Sequence, residues 1–172
     1  NTTGNVTVFE DSATDLRGAN TGSRIEVTSS GAVTDQAGSS ITASAGAAIT
    51  GTSITLTDNS NESVSITGDA VFTATTGNIA VNSAGSTLFG TLQFNSPGLV
   101  TIFEDSQTVL KSSSSAGTLQ LTSSALLTSE SGIGLSVGNN ATLTGTSISL
   151  GSAATDNLQI NANASLIGAS GI

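Results

Sequence analysis

The sequence lacks most of the side chains that enzymes use. It contains no cysteine, histidine, methionine, tryptophan or tyrosine, and lysine and arginine together number 3 among 172 residues. The missing residue types supply most general bases, nucleophiles and soft metal ligands, so most routes to acid–base or covalent catalysis are closed. We therefore expect that the protein is not an enzyme.

The shortage of basic residues also limits the partners. The formal net charge is −9, and a chain with so few cations has no basic face for nucleic acid or anionic lipid. No run of roughly 18 apolar residues is present to form a membrane helix. Hydrophobic residues nevertheless make up 36% of the chain, which is too much for a disordered linker. We predict a folded protein that neither binds nucleic acid nor inserts into a membrane.

A 94-residue unit occurs almost twice in the sequence. Pairing each residue with the one 94 positions later aligns VTVFEDS (6–12) with VTIFEDS (100–106) and TGTSITL (50–56) with TGTSISL (144–150), and no gap is needed anywhere. Such internal periodicity is typical of repeat architectures. We divide the chain into a first repeat unit, residues 1–94, and a second, incomplete unit, residues 95–172, within one continuous solenoid.

Substitutions between the units indicate which positions are buried. Six apolar residues of the first unit become leucine in the second, and we predict that all twelve lie in the core: Ile25, Val27, Val33, Ile41, Ile49 and Val64 correspond to Leu119, Leu121, Leu127, Leu135, Leu143 and Leu158. Acids that become uncharged are predicted to face solvent: Asp15, Glu26, Asp35 and Asp58.

Apolar residues recur two positions apart in short stretches, as in Val6/Val8 and Ile54/Leu56, with turn-forming Gly, Ser, Asn and Asp between the stretches. This spacing places both side chains on one face of a short β-strand, and no window keeps helical spacing. We predict an all-β protein, a right-handed parallel β-helix (β-solenoid) with about four or five turns in each unit. Tandem β-sandwiches are the structural alternative.

The ends of the sequence show no capping element. Neither NTTGNVTV at the start nor NASLIGASGI at the finish contains an amphipathic helix or a charge cluster. A solenoid normally ends in such a cap, which covers the core and the unpaired strand edge. We expect the rod to continue in further repeats or to join another copy end to end.

With these features, the chain resembles the repeat regions of long bacterial surface and secreted proteins: filamentous-haemagglutinin-like adhesins, autotransporter passengers and giant repeat proteins of planctomycete-like bacteria. The resemblance covers the full length and rests on runs such as VTIFEDSQTVLKS, GTLQLTSSALLT and ATLTGTSISL. It implies a β-solenoid outside the cell or at its surface, acting as an adhesin, stalk, sheath or filament subunit. It carries over no catalytic residue.

Two acidic pairs, Glu10–Asp11 and Glu104–Asp105, are the candidate metal ligands, because Ca²⁺ takes carboxylate and carbonyl oxygens. Both acids of a pair reach one ion only if the strand bends there, since neighbouring side chains point to opposite faces. A plain structural corner is the alternative. The two pairs should lie about 20 Å apart along the rod, at about 4.8 Å per turn. Apart from Ca²⁺, we expect no cofactor.

Phe9 and Phe103 precede these acids with the wrong parity for the inner face of their strands. We predict that the strand kinks after Val8 and after Ile102, so that each ring turns into the core. If it does not kink, the rings stand outside and mark sites of self-association between neighbouring rods.

Three functional hypotheses follow. The first is a structural repeat segment of an extracellular bacterial fibre, whose partners are further repeats or other copies of the chain, stacked end to end. The second is the stalk or passenger region of a surface adhesin with a cell-surface or carbohydrate ligand. The third, a carbohydrate-active β-helix enzyme, would need two carboxyl groups roughly 5 to 10 Å apart across a cleft.

Overall fold

The computed structural model describes residues 2–82 and 84–169, and within these ranges the chain forms β-strands and no helix. Accordingly, nothing in this part of the chain is a helix long and apolar enough to cross a membrane. The strands are β1 (Val6–Glu10), β2 (Thr14–Leu16), β3 (Ala19–Ser29), β4 (Val33–Asp35), β5 (Ser40–Gly51), β6 (Ile54–Leu56), β7 (Ser63–Ala74), β8 (Ile79–Val81), β9 (Ser86–Asn95), β10 (Leu99–Glu104), β11 (Thr108–Leu110), β12 (Ser113–Ala116), β13 (Thr118–Ser123), β14 (Leu126–Ser129), β15 (Gly134–Val137), β16 (Ala141–Gly145), β17 (Ser147–Ser149), β18 (Asn157–Ile160) and β19 (Ala164–Gly168).

The strands stack into two parallel sheets. One has eight strands in the order β19-β16-β13-β10-β8-β6-β4-β2, and the other has eleven strands, beginning with β1-β3-β5-β7-β9. Each strand pairs with the strand one turn later, which makes the molecule a β-solenoid of about 7 turns. At about 4.8 Å per turn the rod is about 34 Å long. Parallel pairing excludes the β-sandwich alternative, whose sheets are antiparallel.

Apolar side chains stack in ladders along the axis. In the eight-stranded sheet the inner ladder contains Leu56, Val81, Ile102, Leu121 and Leu143. In the eleven-stranded sheet Val27, Ile49, Phe72 and Phe94 follow one another in the same way. Each fully buried side chain stabilises the fold by about 1.5 to 3 kcal/mol relative to exposure, so the ladders are the main source of stability.

The core prediction is confirmed for eleven of the twelve apolar positions that were compared between the units. The exception is Leu158, which is 41% exposed because it lies in β18 at the edge of the stack. For the acids, Asp15 and Asp58 face solvent as predicted. Glu26 is partly exposed and pairs with Arg24 at 2.7 Å. The prediction is wrong for Asp35, which is half-buried and accepts a hydrogen bond from the amide of Thr57 at 3.1 Å.

The sequence repeat is out of phase with the turns. Thr14, Val33, Ile54, Ile79 and Val100 lie above one another in the eight-stranded sheet and span four turns in 86 residues. Thr108, the residue 94 positions after Thr14, lies 8 residues further on, in the eleven-stranded sheet. One 94-residue unit therefore makes four turns and then runs along one further side of the solenoid, which agrees with the predicted four or five turns. As a result, corresponding segments of the two units lie on different sides of the solenoid.

Candidate functional site

The two FEDS segments are the candidate sites. The second has neighbouring strands on both sides, whereas the first follows β1 at the edge of its sheet. We call Phe9–Ser12 the first corner and Phe103–Ser106 the second corner. In β10 burial alternates without interruption, so Ile102 and Glu104 point inward and the ring of Phe103 does not. The predicted kink after Ile102 is therefore wrong, and an acid, not an aromatic ring, occupies the inner position.

Phe9 likewise stands outside, with 79% of its surface exposed, so the predicted kink after Val8 is also wrong. Because the repeat advances by one side of the solenoid, the two rings lie on different faces. Phe9 is aligned with Thr28 in the eleven-stranded sheet, and Phe103 with Thr122 in the eight-stranded sheet. They do not form a common stripe, and self-association through Phe9 or Phe103 remains a prediction.

The second corner binds the strand of the preceding turn. The amide of Phe89 in β9 donates to Oε1 of Glu104 at 3.0 Å, and the amide of Thr87 donates to Oδ2 of Asp105 at 2.8 Å. The amide of Asp105 donates in return to the carbonyl of Thr87 at 2.9 Å, and the hydroxyl of Thr87 donates to the carbonyl of Phe103. Glu104 and Asp105 thus accept hydrogen bonds from the backbone N–H groups of two alternate residues on the edge of β9.

The carboxyl group of Glu104 is fully buried. Its Oε1 also accepts a hydrogen bond from Ser106 at 2.9 Å, whereas its Oε2 has no partner among residues 2–82 and 84–169. Burial raises the pKa of Glu104 above its ordinary value, and the hydroxyl of Thr108, the amide of Phe89 and the hydroxyl of Ser106 offset only part of that effect. The acid is therefore biased towards its neutral form.

The first corner repeats the local geometry of the second. Ser12 donates to Oε1 of Glu10 at 2.9 Å, the distance found between Ser106 and Glu104. Towards the following turn, the amide of Ser30 donates to the carbonyl of Glu10 at 2.9 Å, as the amide of Ser124 does to that of Glu104.

The first corner differs from the second on the side that faces the preceding turn. Glu10 and Asp11 are exposed, and the described part of the chain supplies no hydrogen bond to Asp11. β1 lies at the edge of its sheet and pairs with β3 alone. In the second corner the two carboxyl groups accept hydrogen bonds from β9. In the first corner, Glu10 and Asp11 have no such preceding strand within the described residues.

Ca²⁺ binding at either acidic pair, Glu10–Asp11 or Glu104–Asp105, remains a prediction. In the described ranges the carboxylates that do converge are Asp35, Asp58 and Glu62, with one oxygen of each within 4.8 Å of the others. Glu62 is buried and accepts from the amide and side chain of Asn59, both at 2.8 Å. Burial raises the pKa of Asp35, with Glu62 and Asp58 adding to that effect. Sequence reasoning missed this cluster because Asp35 lies one turn before the loop that carries Asp58 and Glu62.

The counterpart of this cluster in the second unit keeps one acid. Ser129 and Ser152 replace two of the acids, and Asp156 stands where the first unit has Glu62. Asp156 accepts from the amides of Gly132 at 2.6 Å, Ile133 at 3.1 Å and Ala153 at 2.9 Å, and these bonds hold its pKa below its ordinary value. The conserved feature is thus a carboxylate that binds backbone amides, as in the second corner.

Both end turns expose the apolar interior. Val6, Val8 and Leu16 line a hollow at one end. At the other end a hollow of about 380 Å³ is lined by Leu150, Leu158, Ile160 and Leu166 among others. No element within residues 2–82 and 84–169 covers either hollow.

These features define a repetitive β-solenoid in which side chains at the corners link successive turns. Comparison of the chain with protein-family models, with curated proteins and with solved structures gave no significant match.

Proposed function

We propose that this chain is a structural repeat segment of an extracellular bacterial fibre, in which solenoid segments stack end to end. The observation that carries the proposal is the unbroken stacking of apolar ladders, in which Leu121, Leu143 and Leu166 follow one another in register along the axis. The segment is proposed to have no catalytic activity.

The edge at β19 is suited to strand addition. Its residues, ASLIG, include no charge and no proline, and Leu166 and Ile167 are 41% and 51% exposed. Proteins normally protect such an edge with charged residues, proline or a covering element. Another parallel strand placed on β19 would repeat the operation that joins every internal turn, because Leu166 already continues the ladder of Leu121 and Leu143.

The proposed location outside the cell is supported by the resemblance to bacterial surface proteins and by the composition. Only 3 lysine and arginine residues occur in 172, which leaves few cleavage sites for trypsin-like proteases.

Electron microscopy and light scattering of the purified chain test this function. We expect filaments with an axial repeat of about 34 Å, or one segment of 7 turns. Leu166→Lys, at the open edge, should abolish them because it buries a charge in the junction. Gln120→Lys is the matched control, since Gln120 is exposed on the lateral face, and it should leave assembly intact.

Monodisperse short rods at all concentrations would refute end-to-end stacking of this segment. That result would favour the adhesin stalk, in which the lateral faces and not the ends meet a partner.

A further inference from the structure

We propose that the second corner is a pH-sensitive latch: while Glu104 is neutral it holds the corner over an unpaired edge of β9, and when it ionises it releases that edge. The latch lies in the middle of the rod. It therefore goes beyond the proposed function and does not depend on how solenoid segments join.

A column of paired strand segments ends at β9. Four segments lie one above another in β3, β5, β7 and β9: residues 19–22, 40–43, 63–66 and 86–89. On its other side β9 pairs with later strands only at Leu92 and Asn95. Among residues 2–82 and 84–169, the first half of β9 thus has a strand on one side alone. An uncovered edge of this kind is a template for pairing with another chain.

The second corner covers this edge with side chains. The amide of Phe89 donates to the carboxyl group of Glu104 at 3.0 Å, and the amide of Thr87 donates to that of Asp105 at 2.8 Å. In return the amide of Asp105 donates to the carbonyl of Thr87 at 2.9 Å. These hydrogen bonds take the place of the next strand in the column, so the cover depends on where the two carboxyl groups lie.

Glu104 makes the cover sensitive to pH. Its side chain is fully buried, and its Oε2 accepts no hydrogen bond within the described part of the chain. The strands around it, β8, β9, β11 and β13, contain no titratable residue. The charged group that faces it is Asp105, whose negative charge adds to the effect of burial in raising the pKa of Glu104. Ionisation is therefore costly in the closed corner, whereas water solvates the carboxylate in an open one.

The direction of the pH effect follows from these two states. In the open corner Glu104 ionises near its ordinary pKa, about 4.3, and in the closed corner its pKa is higher. The stability of the closed corner is thus fully present below the open-state pKa and is lost as pH rises through the closed-state pKa. Between the two values the opening equilibrium shifts by up to about tenfold for each pH unit.

Amide hydrogen exchange between pH 4 and pH 8 tests the latch, with each rate corrected for the pH dependence of exchange in an unstructured chain. We expect protection of the Thr87 and Phe89 amides to fall as pH rises, by up to about tenfold for each pH unit. The amide of Leu119, which donates to the carbonyl of Asn140 at 3.0 Å, is the internal reference. It lies in the same sheet as β10 and should stay protected.

Three variants separate the latch from a structural contact that does not titrate. Glu104→Gln keeps an acceptor for the Phe89 amide but cannot ionise, so protection should become independent of pH. Asp105→Asn removes the neighbouring negative charge and keeps an acceptor for Thr87, so the fall at Phe89 should end at a lower pH. Glu10→Gln, at the exposed glutamate of the first corner, is the matched control and should leave the pH profile unchanged.

Three results would overturn the latch. The first is protection of the Phe89 amide that does not change with pH in the parent chain. The second is a fall that persists in Glu104→Gln, which would assign the effect to another acid. The third is an equal fall at Leu119, which would mean that the whole solenoid opens and not the corner. None of these results bears on end-to-end stacking, so the proposed function is tested separately.

Discussion

The amide of Phe89 donates a hydrogen bond of 3.0 Å to the buried carboxyl group of Glu104, 15 residues later and one turn further along the solenoid. At this corner the carboxyl group of Glu104 accepts the hydrogen bond that a backbone carbonyl accepts elsewhere in the parallel ladder. Because an unpaired buried N–H is costly, the acid allows the chain to turn without losing the contact between turns. The FEDS segment is therefore a connection between turns.

Replacing Glu104 with glutamine should stabilise the protein at neutral pH. Burial raises the pKa of Glu104, whereas an unfolded glutamate ionises above about pH 4.3. Between these two pKa values the folded state binds more protons than the unfolded state, so stability falls as pH rises. The contribution of Glu104 is fully present below the unfolded pKa and is lost as pH passes through the folded pKa.

Thermal unfolding from pH 4 to pH 8 measures this effect. The difference in Tm between Glu104→Gln and the parent chain should grow in favour of the variant as pH rises, because glutamine keeps the Oε1 acceptor but cannot ionise. Glu10→Gln is the matched control at an exposed copy of the same motif. A Tm difference for Glu104→Gln that is independent of pH would contradict the prediction.

Successive turns also depend on close stacking of their backbones at glycine residues. A Cβ at Gly90 would lie 2.0 Å from the carbonyl oxygen of Thr67 on the preceding turn, and one at Gly68 would lie 2.1 Å from that of Ala45. Gly90→Ala should therefore destabilise the protein by about 1 to 3 kcal/mol, since the two turns must separate locally.

Chemical denaturation of Gly90→Ala and Gly138→Ala checks this. At Gly138 the nearest atom to an added Cβ is 3.5 Å away, so the control should change the free energy of unfolding by less than about 0.5 kcal/mol. Equal losses at the two glycines would show that the contact of Gly90 with the preceding turn does not set the cost.

The ladder residues were predictable from the sequence, but the contacts between turns were not. Alternation alone places Val100 and Ile102 inside β10, and strict alternation also places Glu104 inside. The kink was predicted because turning the Phe103 ring inward would bury its apolar surface, which stabilises a core by up to about 3 kcal/mol, whereas the chain buries Glu104 instead. Its partner, the amide of Phe89, belongs to another turn and leaves no local pattern in the sequence.

The sequence also did not predict that corresponding segments of the two units lie on different sides of the solenoid, for a related reason. Turn lengths vary from 18 residues between Leu92 and Leu110 to 25 between Ile54 and Ile79. A 94-residue period therefore fixes the number of turns only approximately, and it cannot show which side a residue occupies. The half-burial of Asp35 was missed likewise, because the Thr57 amide that it accepts lies one turn away.

Lys111 should stabilise the junction between the units in a manner that depends on salt and pH. Its Nζ lies 2.9 Å from Oδ1 of Asp69, two turns away, and the same oxygen accepts from Thr91 at 2.7 Å. The hydrogen bond from Lys111, followed by that from Thr91, lowers the pKa of Asp69. Its contribution is thus present above the unfolded pKa, about 3.9, and is lost as pH falls through the folded pKa.

We expect Lys111→Ala to lower Tm slightly at pH 7 in low salt, and the loss should shrink in 1 M NaCl and at pH 2, since both partners are partly exposed and screened. Arg17→Ala is the control, because Arg17 pairs with Asp15 only two residues away and joins no turns. A loss that persists unchanged at pH 2 would assign the effect of Lys111 to packing of its alkyl chain.

Asp156 should hold the last turns together. Its carboxylate accepts the amides of Gly132 and Ile133 on the preceding turn as well as that of Ala153 in its own loop. Hydrogen exchange should show that Asp156→Ala exposes the Gly132 and Ile133 amides about tenfold, while Asp58→Ala, at an exposed acid, leaves them protected. The bonds lower the pKa of Asp156, so acid should weaken protection in the parent chain but not in Asp156→Ala. Protection unchanged by Asp156→Ala would mean that strand pairing between β15 and β18 alone holds the turn.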